Sequence, residues 1–363
     1  MTDGATERTA PDGVPGGAPG RSGLPWWGPA AASGVGSMPG TDAREAARTV
    51  TGELAGPPHL PYLPELPARG PGADMLGRTA GMLAELYVQR EPSGWRIADR
   101  PGRDTRRARA WLGEDLDALE EFTQGYGGAL KVSAAGPWTL AATLERRNGE
   151  AMLGDPGAVR DLAASLAEGL AGHLAEVRRR VPGATLVLQF DEPLLTSVLR
   201  GTVRTASGYR THPAVDRAVV EGALRTLIEA HDGPAVVHSC APDVPVGLLR
   251  RAGAAGISLD AELITERDDE ALGEALESGV ALFAGVVPGT GADGADDGAL
   301  SDPAGSVGGV RSLWRRTGLA AGLLAESVVL TPACGLAGAS PAYARRALAH
   351  CVRAAAVLAD DPE

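Results

Sequence analysis

The chain has 363 residues, 44% hydrophobic and 22% charged, an ordinary balance for a soluble globular protein long enough to bury a large core. Acidic residues outnumber basic ones 46 to 34, a formal charge of -12; this argues against a nucleic acid or an anionic membrane as the main partner and points to a small-molecule ligand. No run approaches the roughly 18 apolar residues of a membrane span, the N-terminus lacks the apolar core of a secretory signal, and Cys240, Cys334 and Cys351 are too few for a disulfide framework, so reduced thiols in the cytoplasm are expected.

Residues 1–30 are rich in Gly, Pro and Ala and read as a disordered tail. A strand is expected at SGVGSM (33–38), a helix at 42–54 opening on an Asp N-cap, and a second strand near PHLPYLPEL (57–66), blurred by its prolines. Helices follow at 73–89 and 114–122. The Arg-rich run between them (100–111) reads as a solvated helix start, with a grip on a polyanionic substrate tail as its alternative. Beyond it come a strand at LKVSAA (130–135), a helix at 157–180, a strand at TLVLQF (185–190) and a helix at 214–230. Then strands at AVVH (235–238) and GISLD (256–260) precede a helix at 268–279 and a strand at LFAGVV (282–287). An acidic, Gly-rich stretch (289–305) reads as a loop, before a strand at SVVLTPA (327–333) and a last helix at 340–358. The apolar runs lack strict alternation, as in strands buried on both faces of a parallel sheet. About eight such β-then-α units make a single (β/α)8 TIM barrel over 31–360 the expected fold, with chemistry at the carboxyl ends of the strands. A doubly wound open sheet is the alternative, since strand order cannot be read from one sequence.

His238 and Cys240 sit at the end of the fifth candidate strand, counting 33–38, 57–66, 130–135 and 185–190 before it, and positions two apart on a strand share a face. Cys334 follows the last strand in TPACG, so two cysteines fall where a barrel keeps its active site. Cys351 sits on the apolar face of the last helix and reads as core. GISLDAEL adds Asp260 and Glu262. One imidazole, two thiolates and a carboxylate form a mixed donor set suited to tetrahedral Zn2+. Two thiolates in that set leave sulfur electron-rich and nucleophilic, unlike the His-rich shell of a hydrolase. His59, His173, His212 and His231 fall in loops or helices and read as structural or exposed.

HSC, the carboxylate after the sixth barrel strand and PACG, in that order, resemble the catalytic domain of cobalamin-independent methionine synthase, in the barrel superfamily that includes uroporphyrinogen decarboxylase. SGVGSMPGTDAREA is similar to the opening strand and helix of that family, AAGPWTL to its Gly-Pro-x-Thr element, and LQFDEPLL to its Asp-Glu-Pro signature. The likeness runs over residues 33–355. It implies a zinc-dependent S-methyltransferase that transfers a methyl group from a methylated folate or another donor to the thiol of homocysteine, giving methionine. Carried over by position, His238, Cys240, Glu262 and Cys334 would hold Zn2+, with Asp260 the competing carboxylate if strand ends rather than spacing are aligned. Val35, Gly36 and Ser37 would hold the amino acid's carboxylate, and Asp191 its ammonium. The implied partners are a small-molecule thiol and a methyl donor, with no nucleic acid, no membrane and no obligate protein partner. Alkyl transfer to a different thiol and a non-catalytic zinc-binding relic are the alternatives.

Parts of the family pattern are absent. The His-Gly-Glu stretch that supplies a second acidic grip is expected between 84 and 110, and none is there. Thr143 stands near the position of the folate-stacking Trp, with Trp138 five residues earlier. LFAGVVPGTGADG lacks the proton-donating His, and the family's N-terminal second barrel has no counterpart in this sequence.

Overall fold

The computed structural model describes residues 27–290 and 300–361. Its strands, in chain order, are β1 (Ala31–Ala32), β2 (Tyr87–Arg90), β3 (Trp95–Ala98), β4 (Ala129–Ala135), β5 (Leu144–Glu145), β6 (Thr185–Asp191), β7 (Ala235–Ser239), β8 (Gly256–Asp260), β9 (Ala281–Val287) and β10 (Val328–Pro332). Seven of these form one parallel ladder in the order β1-β10-β9-β8-β7-β6-β4. From β4 to β10 each ladder strand lies beside the next one in sequence, and β1 closes on the last, β10, as a curled (β/α)8 sheet requires and a doubly wound sheet, whose order reverses midway, does not.

The ladder's two edges, β1 and β4, meet through the proline-rich segment 60–65. Leu60 N–H donates to the Ala32 carbonyl at 2.9 Å, Leu63 N–H to the Lys131 carbonyl at 3.0 Å, and Lys131 N–H to the Pro61 carbonyl at 2.9 Å. Isolated parallel bridges join Ser33 to Leu60, Ser37 to Glu65 and Tyr62 to Lys131. Pro61 and Pro64 cannot donate, so this eighth strand bonds at intervals and breaks up as regular structure. The closure is complete all the same.

Side chains alternate across the ladder. One set (Leu130, Val132, Leu186, Leu188, Phe190, Val237, Ile257, Leu282, Leu330) joins the main core under the helices. The other set fills the barrel: Ala31, Leu60, Ala129, Val187, Val236, Ala281, Phe283 and Val329 make an apolar plug, closed by Trp27, whose ring meets Phe283 edge-on with centroids 5.3 Å apart. Above the plug the same faces become polar, with Lys131 and Ser133, Gln189 and Asp191, His238, and Ser258, all buried. The alternation predicted to be missing is therefore present, written as apolar outside against polar inside.

Several expectations are corrected. The helix expected over 73–89 ends at Met82; Glu85 takes a left-handed φ of 57°, and Tyr87–Arg90 pairs antiparallel with Trp95–Ala98 as a hairpin. Leu83 and Val88 are buried here without a helix between them, so helical spacing alone misled. The helix expected from 114 begins at Arg103, because small Thr105 and Ala108 supply its buried face, where a Cβ on Gly81 would come within 2.8 Å of the Ala108 Cβ. The Arg-rich run is thus a solvated helix face. The tail expected to reach residue 30 ends earlier, since Trp27 is core and Ala30 N–H bonds the Ala325 carbonyl; residues 1–26 lie outside the described residues. Of the 289–305 loop, 291–299 lie outside them too, and Pro303–Ser306 is a helical turn capped by Asp302.

The helix Pro156–Arg180 presses against the end of Met75–Met82 at Gly169, where an added Cβ would sit 2.2 Å from the Met82 carbonyl oxygen. Backbone cannot yield there as a side chain would. Gly169→Ala is expected to lower stability by roughly 1–3 kcal/mol, through overpacking, read from urea denaturation. An unchanged midpoint would contradict this close approach.

Candidate metal centre

β7 carries His238 one residue before its end at Ser239 and runs on to Cys240, and β10 runs on to Cys334. One donor atom from each of the three residues lies within 4.8 Å of the others, and the two Sγ atoms are 3.4 Å apart. The pairing Asp191 to His238 to Ser258 across β6, β7 and β8 sets these side chains at one level of the barrel. Ser258 Oγ lies 2.9 Å from His238 Nδ1, which fixes the ring and leaves Nε2 for a metal, as outer-shell partners of ligating histidines do. The thiols are close enough to share one proton. Cys240 and the His238 ring beside it draw the Cys334 thiol down toward thiolate, while that neighbour and burial push Cys240 up. Gly335 follows Cys334 because a Cβ there would meet Ser37 Oγ at 2.1 Å.

Beside the donors lies a buried charged cluster. Asp191 Oδ1 accepts from Gln189 Nε2 at 2.7 Å, and no hydrogen bond reaches its other oxygen among the described residues. Burial pushes its carboxyl up, opposed by His238 and Lys131. Glu65, at the end of segment 60–65, is only 3% exposed, and its Oε1 is buried without a hydrogen-bond partner. Burial raises it to about 8, with Arg78 opposing and Asp191 adding. Two carboxylates so placed suit a cation not supplied by the protein.

The turn after β1 completes the cradle. Val35 carbonyl accepts from Lys131 Nζ and Gln189 Nε2, Gly36 carbonyl from Glu65 N–H, and Ser37 carbonyl from Leu336 N–H. The N–H groups of Val35, Gly36 and Ser37 donate to no acceptor among the described residues. Carbonyls tied back with N–H groups left over is the arrangement of an anion-binding nest.

The structure thus brings together His238, Cys240, Cys334, Asp191 and the Val35–Ser37 turn. Glu262 is not in the three-donor group: it lies exposed on the turn Ala261–Leu263. Asp260 Oδ1 accepts the Glu262 N–H at 3.0 Å. Glu192 is structural, its carboxylate taking the N–H groups of Trp138 and Thr139 and the Thr139 hydroxyl at 2.7–2.9 Å. Trp138 is core. A second acid was expected between 84 and 110; the buried acid that acts on Asp191 is instead Glu65, whose signal in the sequence is a lone acid in a proline-rich apolar stretch. A cavity of about 510 Å³ is bounded by Thr143, Trp95, Arg90 and residues between Pro67 and Leu76, so the aromatic ring beside Thr143 comes from the β2–β3 hairpin.

The family model for the catalytic domain of cobalamin-independent synthase matches residues 30–357. Among solved structures, a B12-independent methionine synthase from Shewanella sp. W3-18-1, in complex with selenomethionine, is similar with a TM-score of 0.57 and 14% identity, covering 91% of this chain and 98% of that one. At this identity the likeness is one of fold. An IMP dehydrogenase/GMP reductase-like protein from Corynebacterium glutamicum overlaps with a TM-score of 0.30 and 15% identity, over 81% of this chain and 62% of that one. No curated protein matches the sequence.

With Ser258 holding the His238 ring, Ser258→Ala is expected to weaken metal affinity roughly 10–100-fold, measured by competition with a chromophoric chelator. Undiminished affinity would show that the serine does not orient a ligand.

Proposed function

The chain belongs to the cobalamin-independent synthase catalytic-domain family, and from that premise we propose that it is a zinc-dependent S-methyltransferase that converts homocysteine to methionine. The observation that carries this reading is the shared rim of three elements: the His238, Cys240 and Cys334 donors, the two buried carboxylates, and the three unengaged N–H groups. A thiol-bearing α-amino acid presents one group to each. The Shewanella methionine synthase is in complex with selenomethionine, an α-amino acid.

An imidazole and two thiols at these separations fit Zn2+, and leave room for a further donor. We assign that donor to Glu262 rather than Asp260. Asp260 already caps its turn, whereas the exposed Glu262 carboxylate makes no hydrogen bond or ion pair among the described residues. A bound zinc ion would lower the pKa of the substrate thiol and keep its sulfur anionic at neutral pH.

The chain's own residues do the rest. Asp191 and Glu65 hold the substrate ammonium, and Val35, Gly36 and Ser37 hold its carboxylate through N–H groups and a hydroxyl. Both ends gripped, the sulfur is presented in one orientation for in-line attack on a methyl group, a contribution of proximity rather than of acid-base catalysis. The methyl donor is assigned to the cavity beside Thr143, where Trp95 offers an aromatic wall and Arg90 a cation. A cation and a ring suit a flat heterocycle with an anionic tail.

The zinc-loaded protein, given homocysteine and a panel of methyl donors, should form methionine with at least one. Asp191→Asn should raise KM for homocysteine roughly tenfold or more, the loss of a charged hydrogen bond. Full zinc occupancy with no methionine from any donor would contradict the reading.

A further inference from the structure

Lys131 is the deepest charge of the barrel, wholly buried on β4 just above the apolar plug. A lone buried ammonium is expensive, so its surroundings indicate what it serves. Nζ donates to the Val35 carbonyl at 2.6 Å and to Gln189 Oε1, and lies 5.4 Å from the Tyr62 ring centroid. Gln189 Nε2 donates to the same Val35 carbonyl at 2.9 Å and to Asp191 Oδ1 at 2.7 Å.

These bonds tie three strands into one closed circuit: the turn after β1, β4 and β6. Simple charge compensation would be met most directly by an ion pair, yet no carboxylate of the described residues hydrogen-bonds Nζ, and Asp191 and Glu65 act on it only through space. Both of its hydrogen-bond acceptors are uncharged. Asp191 is thereby left with one oxygen unengaged, and the Val35 carbonyl is turned inward, so that the Gly36 N–H of the same trans peptide faces the other way.

We propose that Lys131 is a positioning residue for recognition of the amino-acid end of the substrate, holding through Val35 and Gln189 both the carboxylate-binding turn and the Asp191 carboxylate. This rests on the proposed methyltransferase reading, because it presumes an α-amino acid between those two groups. Lys131 touches neither the reacting sulfur nor the metal donors. Its loss therefore acts on selectivity: an α-amino thiol loses affinity and a bare alkanethiol, held by the metal alone, does not.

The test is to measure dissociation constants of homocysteine and of propanethiol on zinc-loaded wild type, Lys131→Met and Gln189→Met, with zinc content determined for each. Gln189→Met breaks the circuit without removing the charge, and serves should Lys131→Met fail to fold. The expected result is homocysteine weakened roughly tenfold or more in either variant, with zinc content unchanged and propanethiol affinity within about twofold of wild type. Both thiols weakening together, or neither, would overturn the proposal while leaving the methyltransferase reading intact. A wild type that does not prefer homocysteine to propanethiol would overturn that reading, and the proposal with it.

Discussion

The 3.4 Å approach of the Cys240 and Cys334 sulfurs depends on closure of the sheet. β7 and β10 are separated in the ladder by β8 and β9, so in a flat sheet their ends would lie about 14 Å apart, three strand spacings of ~4.8 Å. Only a sheet curled tightly on itself brings them within one coordination sphere. The segment 60–65 completes that curl with a few hydrogen bonds, most of whose donors are placed between prolines. Closure and the metal centre are in this sense one constraint.

Within the closed barrel, polarity is layered. Apolar residues fill the lower end around Trp27 and Phe283, and the charged cluster begins one side-chain level higher with Lys131. Glu65, Asp191 and Lys131 sit in low dielectric, and burial raises both carboxyls and lowers the lysine to about 7. Such a group of buried charges destabilises the fold unless its members satisfy one another. Here Gln189 and Lys131 satisfy part of it, and an oxygen of Glu65 is left over. The zwitterionic substrate of the proposed reaction would complete that network.

Legibility followed the physics of each segment. The doubly buried strands around Val132, Val187, Val237 and Leu282 announced themselves as apolar runs, and with the long helices they gave the barrel. His238, Cys240 and Cys334 were visible because soft residues at strand ends are unusual company for such runs, and Asp191 only through the likeness of LQFDEPLL to the family's signature. Glu65 was not, because a strand interrupted by Pro61 and Pro64 has no period to extrapolate. The Tyr87–Ala98 hairpin was hidden by side chains that bury equally well in a helix. Short helices such as Pro137–Thr143 and Val246–Arg251 carry too few turns to show a stripe. Lys131 passed unnoticed inside an apolar run, since its partners are a carbonyl and an amide distant in sequence.

The convergence of donors at one rim is tested most directly by X-ray absorption spectroscopy of the zinc-loaded protein. The account predicts two sulfur neighbours at about 2.3 Å and two nitrogen or oxygen neighbours at about 2.0–2.2 Å, from Cys240, Cys334, His238 and Glu262. A shell of nitrogen and oxygen alone, or with a single sulfur, would contradict it.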